Sequence, residues 1–247
     1  MKKFMKNTMM IMLSSLMLTS MLVISSCSET TTTDDQATIK IQSEMSLGVT
    51  QLIEREIKGD NVQRTEVDSV KIISTRILLS RIKFHLEKDS NDAIDKEFKT
   101  GPFLFVGDEN GNYFNMTDGL IPAGSYNKIK FEIHRFNSSD LGQYQNHAVF
   151  KDFATSNRHS VIINGYAYKN GIANEFTYYG SPTANLSLKF EPSLVCEENS
   201  TTDICLQINP IHLFKSGNSV CDPRDNGNMN DIDNLIKSAI KAIKKNK

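Results

Sequence analysis

Apolar and polar residues alternate with a period of two along most of the chain beyond residue 38, and this pattern limits the fold more than any other feature. In the segment TIKIQSEMSL, Ile39, Ile41 and Met45 fall on one face, whereas lysine, glutamine and glutamate fall on the other. Successive side chains of a β-strand point to opposite faces of a sheet, so this segment predicts a half-buried strand. About nine such segments, joined by short turns, predict an all-β fold.

The arrangement of the strands points to a sandwich. The segment VDSVKIISTRILLSRIKFHLE is apolar on both faces between Ile73 and Leu79, which is typical of a central strand covered on both sides. Turn residues within FLFVGDENGNYFNM and at Asn170-Gly171 predict two hairpins. No strand alternates with a helix, which argues against a parallel α/β fold. We therefore expect an antiparallel two-sheet sandwich, transthyretin-like or immunoglobulin-like, with a closed barrel as the alternative and a less regular insertion at residues 137–158.

The C-terminal tail changes to a helical period. A single stripe is formed by Ile232, Leu235, Ile236, Ala239, Ile240 and Ile243. Asn230 is the expected N-cap of this amphipathic helix, because acidic residues follow it and lysines lie near the other end. The helix is expected to pack on the sandwich; docking on a partner or on a membrane surface is the alternative.

The first residues have the pattern of a secretory signal. Three lysines precede a short apolar stretch, and two small residues, Ser25 and Ser26, precede Cys27. The apolar stretch is shorter than the roughly 20 residues that a spanning helix needs. The segment from Ile24 to Cys27 resembles the bacterial lipobox, in which the peptidase cuts before a lipid-modified cysteine. The resemblance implies cleavage between Ser26 and Cys27 and a fatty-acid (palmitate-type) anchor on Cys27.

The anchor gives the expected location. Ser28 follows the cysteine where an aspartate would favour inner-membrane retention, so sorting rules of related signals imply the outer membrane. The polar, threonine-rich residues after Cys27 cannot bury apolar surface and predict a flexible tether. We divide the chain into a signal peptide at residues 1–26, a tether at 27–37, a β-sandwich at 38–214, and a loop with the helix at 215–247.

Charge and cysteine usage fit this location. Removing the three lysines of residues 1–26 leaves 25 basic residues against 29 acidic ones, a net charge of about −4, which argues against a nucleic-acid partner. Three cysteines remain after Cys27. The first candidate disulfide joins Cys196 to Cys205, although strand parity places these two side chains on opposite faces unless Pro192 resets the register. A bond between Cys205 and Cys221 is the second candidate.

No motif identifies a reaction or a cofactor. There is no GxSxG, GxGxxG or P-loop sequence, and the histidines form no HxH or HxxxH pair. The most site-like stretch is DPRDNGNMNDID, whose weak calcium candidates are Asp222, Asp225, Asn226, Asn228 and Asp231. The spacing departs from the EF-hand pattern, so an Asx turn that leads into the helix is the expected structure. We expect no metal and no cofactor.

Two strands carry a family resemblance. The segment RILLSRIKFHLE, followed by LIPAGSYNKIKFEI, resembles uncharacterised bacterial envelope lipoproteins with a transthyretin-like or carbohydrate-binding-like sandwich, and more weakly the MbnP-like proteins. The resemblance implies a fold and a location, and it offers no catalytic residues to transfer. A copper link, which the MbnP-like proteins would imply, has no clustered ligand set in this sequence.

The sequence thus predicts a lipid-anchored envelope protein that is a non-enzymatic binding or assembly module, with an envelope protein or a glycan as partner. The alternatives are a hydrolase of envelope polymers, which would need paired carboxylates in a cleft, and a subunit of a surface fibre, which would need an exposed sheet edge.

Overall fold

Alternation of apolar and polar residues produces two stacked sheets. The computed structural model of the chain describes residues 35–46, 52–54, 67–86 and 95–244, and the side chains of 52–54, 95 and 96 are not described. These residues belong to one unit, Asp34–Lys247. The predicted signal peptide, Cys27 with its cleavage site, and the tether up to residue 34 lie outside the described residues.

The elements are numbered in chain order. The strands are β1 Gln36–Met45, β2 Leu52–Glu54, β3 Ser69–Leu86, β4 Asp95–Asp108, β5 Phe114–Pro122, β6 Gly124–Ile133, β7 Val161–Lys169, β8 Ile172–Gly180, β9 Ala184–Cys196, β10 Thr201–Ile208, β11 Lys215–Ser216, β12 Ser219–Val220 and β13 Ile240–Lys244. The helices are α1 Leu141–Tyr144 and α2 Met229–Ala239, with short 3-10 turns at Pro210–His212 and Asn226–Asn228.

The smaller sheet has the strand order β13-β10-β1-β5. Its pairs are antiparallel except that β1 runs parallel to β10. Ile39, Ile41 and Met45 are buried, as their alternation predicts. Strand β1 begins at Gln36, opposite Pro122 of β5, two residues before the predicted start of the sandwich at residue 38.

The larger sheet has the strand order β8-β7-β3-β6-β9. Strands β7 and β6 pair with one edge of β3, and β2 and β4 pair with its opposite edge. Strand β3 is 18 residues long and pairs with β7 along its first half and with β6 along its second half. Ile77, Leu78 and Leu79 are all buried. The prediction of a central strand covered on both sides is therefore confirmed.

One of the two predicted hairpins is present, and the other turn joins strands of different sheets. Asn170 and Gly171 have φ values of +52° and +77° and join β7 to β8 in the predicted hairpin. The other predicted hairpin is wrong, because β4 pairs with β3 and β5 pairs with β1, so their turn passes between sheets. The chain crosses back at Pro122, whose carbonyl accepts a hydrogen bond from the Tyr126 hydroxyl at 2.6 Å.

The C-terminal tail corrects the prediction of one long helix. Helix α2 ends at Ala239, and Ile240 begins β13, which pairs with β10. The N-cap is Asn228 rather than Asn230, and its side chain makes no capping hydrogen bond. Ile232, Ile236 and Ala239 are buried, so the helix packs on the sandwich as expected. The edge of β10 offers backbone hydrogen bonds to residues 240–244, which a longer helix would leave unused.

The predicted disulfide is absent. Cys196, Cys205 and Cys221 are buried thiols. Cys196 lies opposite Gly124 in β6, whereas Cys205 lies in the other sheet, between Gln42 of β1 and Ile243 of β13. Cys196 belongs to the main core cluster, whereas Cys205, although buried, does not. Burial raises the pKa of the Cys196 thiol, which makes it a poor nucleophile.

A candidate ligand cleft on the larger sheet

The insertion at residues 137–158 covers part of the outer face of the larger sheet. A second apolar cluster, separate from the main core, joins this insertion to β3 and β7; its buried members are Leu78, Phe136, Phe153, Ala154 and Ile162. Because Leu78 and Ile162 point away from the main core, the insertion provides the apolar cover that they need. Its edge also forms one wall of a cavity.

This cavity, which we call the polar cleft, has a volume of about 400 Å³. It is lined by Arg76 of β3, Ile162 and Asn164 of β7, Thr177 and Tyr179 of β8, and Asp152, Thr155, Asn157 and His159 of the loop between β6 and β7. Eight of these nine residues carry a polar group. Most small-ligand pockets are lined mainly by apolar side chains, so this mostly polar lining suits a ligand rich in hydrogen-bonding groups.

An ion pair fixes the side of the cleft nearest the insertion. Nη1 of Arg76 donates a hydrogen bond to Oδ2 of Asp152 at 2.7 Å. The guanidinium carbon also lies 5.7 Å from the ring centre of Phe153, within the range of a cation–π contact. Both groups are partly exposed, so the pair contributes little to stability. Its effect is to hold a cation and a carboxylate in fixed positions.

A hydrogen-bond chain orders the floor of the cleft. Nδ2 of Asn164 donates to Oγ of Ser74 at 3.0 Å, and Oγ1 of Thr177 donates to Oδ1 of Asn164 at 2.9 Å. The three residues lie on adjacent strands, since Ser74 is opposite Asn164 and Asn164 is opposite Thr177. The amide is thus held in one orientation beside the cavity.

His159 and Tyr179 form the aromatic wall. Their ring centres are 4.8 Å apart, and Tyr179 is 46% exposed. Nδ1 of His159 is buried and has no hydrogen-bond partner among the described residues. Burial also lowers the pKa of His159, which favours the neutral imidazole. A buried polar atom without a partner carries a desolvation cost.

The calcium candidates are used in turns. Both carboxylate oxygens of Asp222 accept hydrogen bonds from the Arg224 side chain, at 2.9 and 2.8 Å. Oδ1 of Asp225 accepts from the backbone N–H of Gly227, and Nδ2 of Asn228 donates to the carbonyl of Asp222. Asn226 begins the 3-10 turn, and Asp231 lies in the first turn of α2. The Asx-turn interpretation is therefore confirmed for this stretch.

The residues of the polar cleft were missed from the sequence. Arg76 of β3 is far in sequence from Asp152, His159 and Asn164, and the four residues form no motif. The seven tyrosines of the sequence allow an aromatic platform, but their positions alone do not single out Tyr179. Among the described residues, no three or more His, Cys, Asp or Glu side chains are grouped so that they could hold a metal ion.

Comparison with protein-family models, with curated proteins and with solved structures gave no match to this chain. Among the described residues, no helix is both long enough and apolar enough to span a membrane.

Proposed function

We propose that the chain is a lipid-anchored protein of the bacterial cell envelope and that its sandwich is a non-enzymatic binding module. The observation that carries the binding role is the polar cleft, a cavity of about 400 Å³ in which hydrogen bonds hold Arg76 to Asp152 and Thr177 to Asn164. Preorganised polar groups bind a ligand with little ordering cost. The ligand site is therefore the polar cleft.

The location is supported by the sequence alone. Lysines, a short apolar stretch and two small residues precede Cys27, in the pattern of a lipoprotein signal. Several acyl chains on one cysteine anchor a protein firmly, at about 0.8 kcal/mol for each buried methylene group. The outer membrane is the proposed destination, because no aspartate follows the cysteine. An envelope protein or a glycan is the proposed partner.

The chemistry of the polar cleft fits a sugar unit. The exposed ring of Tyr179 offers a flat apolar surface, and Tyr166, which is 38% exposed, lies on the same face of the sheet. Asp152, Asn157 and Thr177 place acceptors and donors around the cavity, where sugar hydroxyls need them. A ligand with one apolar face and several hydroxyls matches both features.

The hydrolase alternative has less support. Three cavities of the described chain contain a single carboxylate each, namely Asp140, Asp152 and Glu132. A glycosidase places two carboxyl groups on either side of the bond that it cuts. The cleft is therefore equipped to hold a sugar rather than to hydrolyse one.

The binding proposal predicts an effect of Tyr179→Ala. The mature chain is screened against oligosaccharides built from glucose, galactose, mannose and N-acetylglucosamine, and the affinity for the strongest binder is measured by calorimetry. Tyr179→Ala should weaken binding by about tenfold or more, because an exposed aromatic platform contributes about 1–3 kcal/mol to such contacts.

Tyr113→Ala is the matched control, because Tyr113 is similarly exposed, at 52%, and does not line the cleft. It should bind like the unaltered chain. The proposal fails if none of these oligosaccharides binds, or if Tyr179→Ala and Tyr113→Ala bind equally well.

A further inference from the structure

Lysines face one another on the outer surface of the larger sheet. In the strand register, Lys83 of β3 lies directly opposite Lys130 of β6. In the next row, Lys128 of β6 lies opposite both His85 of β3 and Lys189 of β9. Like charges directly opposite each other destabilise a sheet. On the other side of β3, Glu97 of β4 lies opposite Lys83 and offsets part of this repulsion.

The surrounding residues leave a positive excess. We define the lysine face as Arg81, Lys83, Lys128, Lys130 and Lys189. Two carboxylates accompany these five cations: Glu97 of β4, which lies opposite Lys83 and 4.0 Å from Arg81, and Glu132 of β6. Glu132 lies 3.6 Å from Arg81 and also accepts a hydrogen bond from Ser80 at 3.1 Å. Both carboxylates are thus held beside Arg81, away from the row of Lys128 and Lys189.

A groove runs across the lysine face. It has a volume of about 280 Å³ and is lined by Arg81, Lys83, Lys130, Phe131, Glu132, Asn185, Leu186 and Ser187. Three cations lie on its β3 and β6 side, and the exposed Asn185 and Ser187 lie on its β9 side. The groove therefore offers charges for acidic groups and neutral hydrogen-bonding groups for hydroxyls.

The spacing of the cations suits a repeating anion. Neighbouring strands lie about 4.8 Å apart, and residues two positions apart on a strand are separated by about 7 Å. The rows at Lys83 and Lys128 therefore form a small grid of positive charge. A chain with an acidic group on successive units can contact both rows, whereas a single anion contacts one.

We propose that the lysine face binds an acidic glycan, a carboxylate-bearing oligosaccharide whose hydroxyls contact Asn185 and Ser187. This site is separate from the polar cleft and goes beyond the proposed function.

An anionic membrane surface is the less suitable occupant. Asp35, Glu197 and Glu198, all exposed, lie where the tether enters the sandwich, and the turn containing the two glutamates contacts β1 through a hydrogen bond from Asn199 to Gln36. Anionic lipids would repel that end of the molecule.

The test compares two probes that differ in charge. Oligogalacturonate and the neutral galacto-oligosaccharide of equal length are titrated into the mature chain, and binding is measured by calorimetry. Oligogalacturonate should bind and the neutral oligomer should bind at least about tenfold more weakly. The double variant Lys83→Gln/Lys130→Gln should lose affinity for oligogalacturonate by about tenfold or more, because two charge-assisted contacts are removed.

Three controls separate the outcomes. Lys151→Gln, which removes an exposed lysine of the insertion, should leave oligogalacturonate binding unchanged. Tyr179→Ala should also leave it unchanged, so failure of the polar cleft would not be mistaken for failure of this site. Binding of a single-stranded oligonucleotide with equal affinity would overturn the proposal, because it would show unspecific attraction of polyanions.

Chemical acetylation measures how far each lysine of the unaltered chain is protected by the bound ligand. The result therefore does not depend on whether the variants fold. Oligogalacturonate should reduce the labelling of Lys83 and Lys130 several-fold and leave Lys151 unchanged. The lipidated chain is labelled in parallel in nanodiscs of phosphatidylcholine and in nanodiscs of an equimolar mixture with phosphatidylglycerol. Protection by phosphatidylglycerol without protection by oligogalacturonate would overturn the glycan assignment in favour of a lipid surface.

Discussion

At the scale of single residues, Asp222 shows how burial and hydrogen bonding compete. Burial raises the pKa of its carboxyl, but the side chain, backbone N–H and charge of Arg224 outweigh burial, so the pKa lies below its usual range. The folded state therefore favours the ionised form. Its stabilising contribution is complete above the unfolded pKa of about 3.9 and is lost as the pH falls through the lower, folded value.

This predicts a pH-dependent effect of Asp222→Asn. At neutral pH, the substitution should lower the free energy of unfolding by about 1–2 kcal/mol, because charge-assisted hydrogen bonds at a mostly buried site are weakened. The difference from the unaltered chain should shrink below about pH 4. Urea unfolding at several pH values measures it, and Glu198→Gln, in an exposed turn, is the control. A difference that is independent of pH would contradict this explanation.

At the scale of elements, one serine completes the contact between β1 and β4. Oγ of Ser43 donates to the carbonyl of Val106 at 2.8 Å and accepts from the backbone N–H of Val106 at 3.0 Å. A side chain thus pairs with both backbone groups of a residue on the other sheet. The adjoining Gly107 permits this approach, because a Cβ there would lie 2.8 Å from Cβ of Met45.

Ser43→Ala should therefore destabilise the fold. The substitution leaves the N–H and carbonyl of Val106 without this partner, and we expect a loss of about 1–3 kcal/mol in the free energy of unfolding. Ser46→Ala is the control in the same region, because its hydroxyl makes one longer hydrogen bond, 3.3 Å, to Ile208. Equal losses for the two variants, measured by urea unfolding, would show that Ser43 has no special role.

The tail shows what periodicity can and cannot predict. Ile232 and Ile236 share the helical stripe, and the helix over them was predictable. Ile240 fits the helical stripe and also begins the alternating segment IKAIK, so the local pattern allows both structures. Residues 240–244 form a strand because they pair with the edge of β10. The position of that edge depends on the whole fold, so the local sequence does not reveal it.

At the scale of the whole molecule, the sandwich was predictable because many segments repeat the same two-residue alternation. The polar cleft was not, since Arg76, Asp152 and His159 become neighbours only after the sheet and the insertion have formed. The disulfide between Cys196 and Cys205 was wrong for the same reason. Proximity in the chain suggested a bond, and the parallel pairing of β10 with β1 places Cys205 in the other sheet.

The lipid anchor on Cys27 is the part of the proposal on which location and partner both depend. Intact-mass spectrometry of the chain purified from the membrane fraction tests it most directly, with Cys27→Ala as the control. We predict a chain that begins at Cys27 and carries a diacylglycerol and an amide-linked acyl group, and we predict that Cys27→Ala leaves the membrane fraction. An unmodified Cys27, or a Cys27→Ala variant that stays in the membrane fraction, would contradict the account.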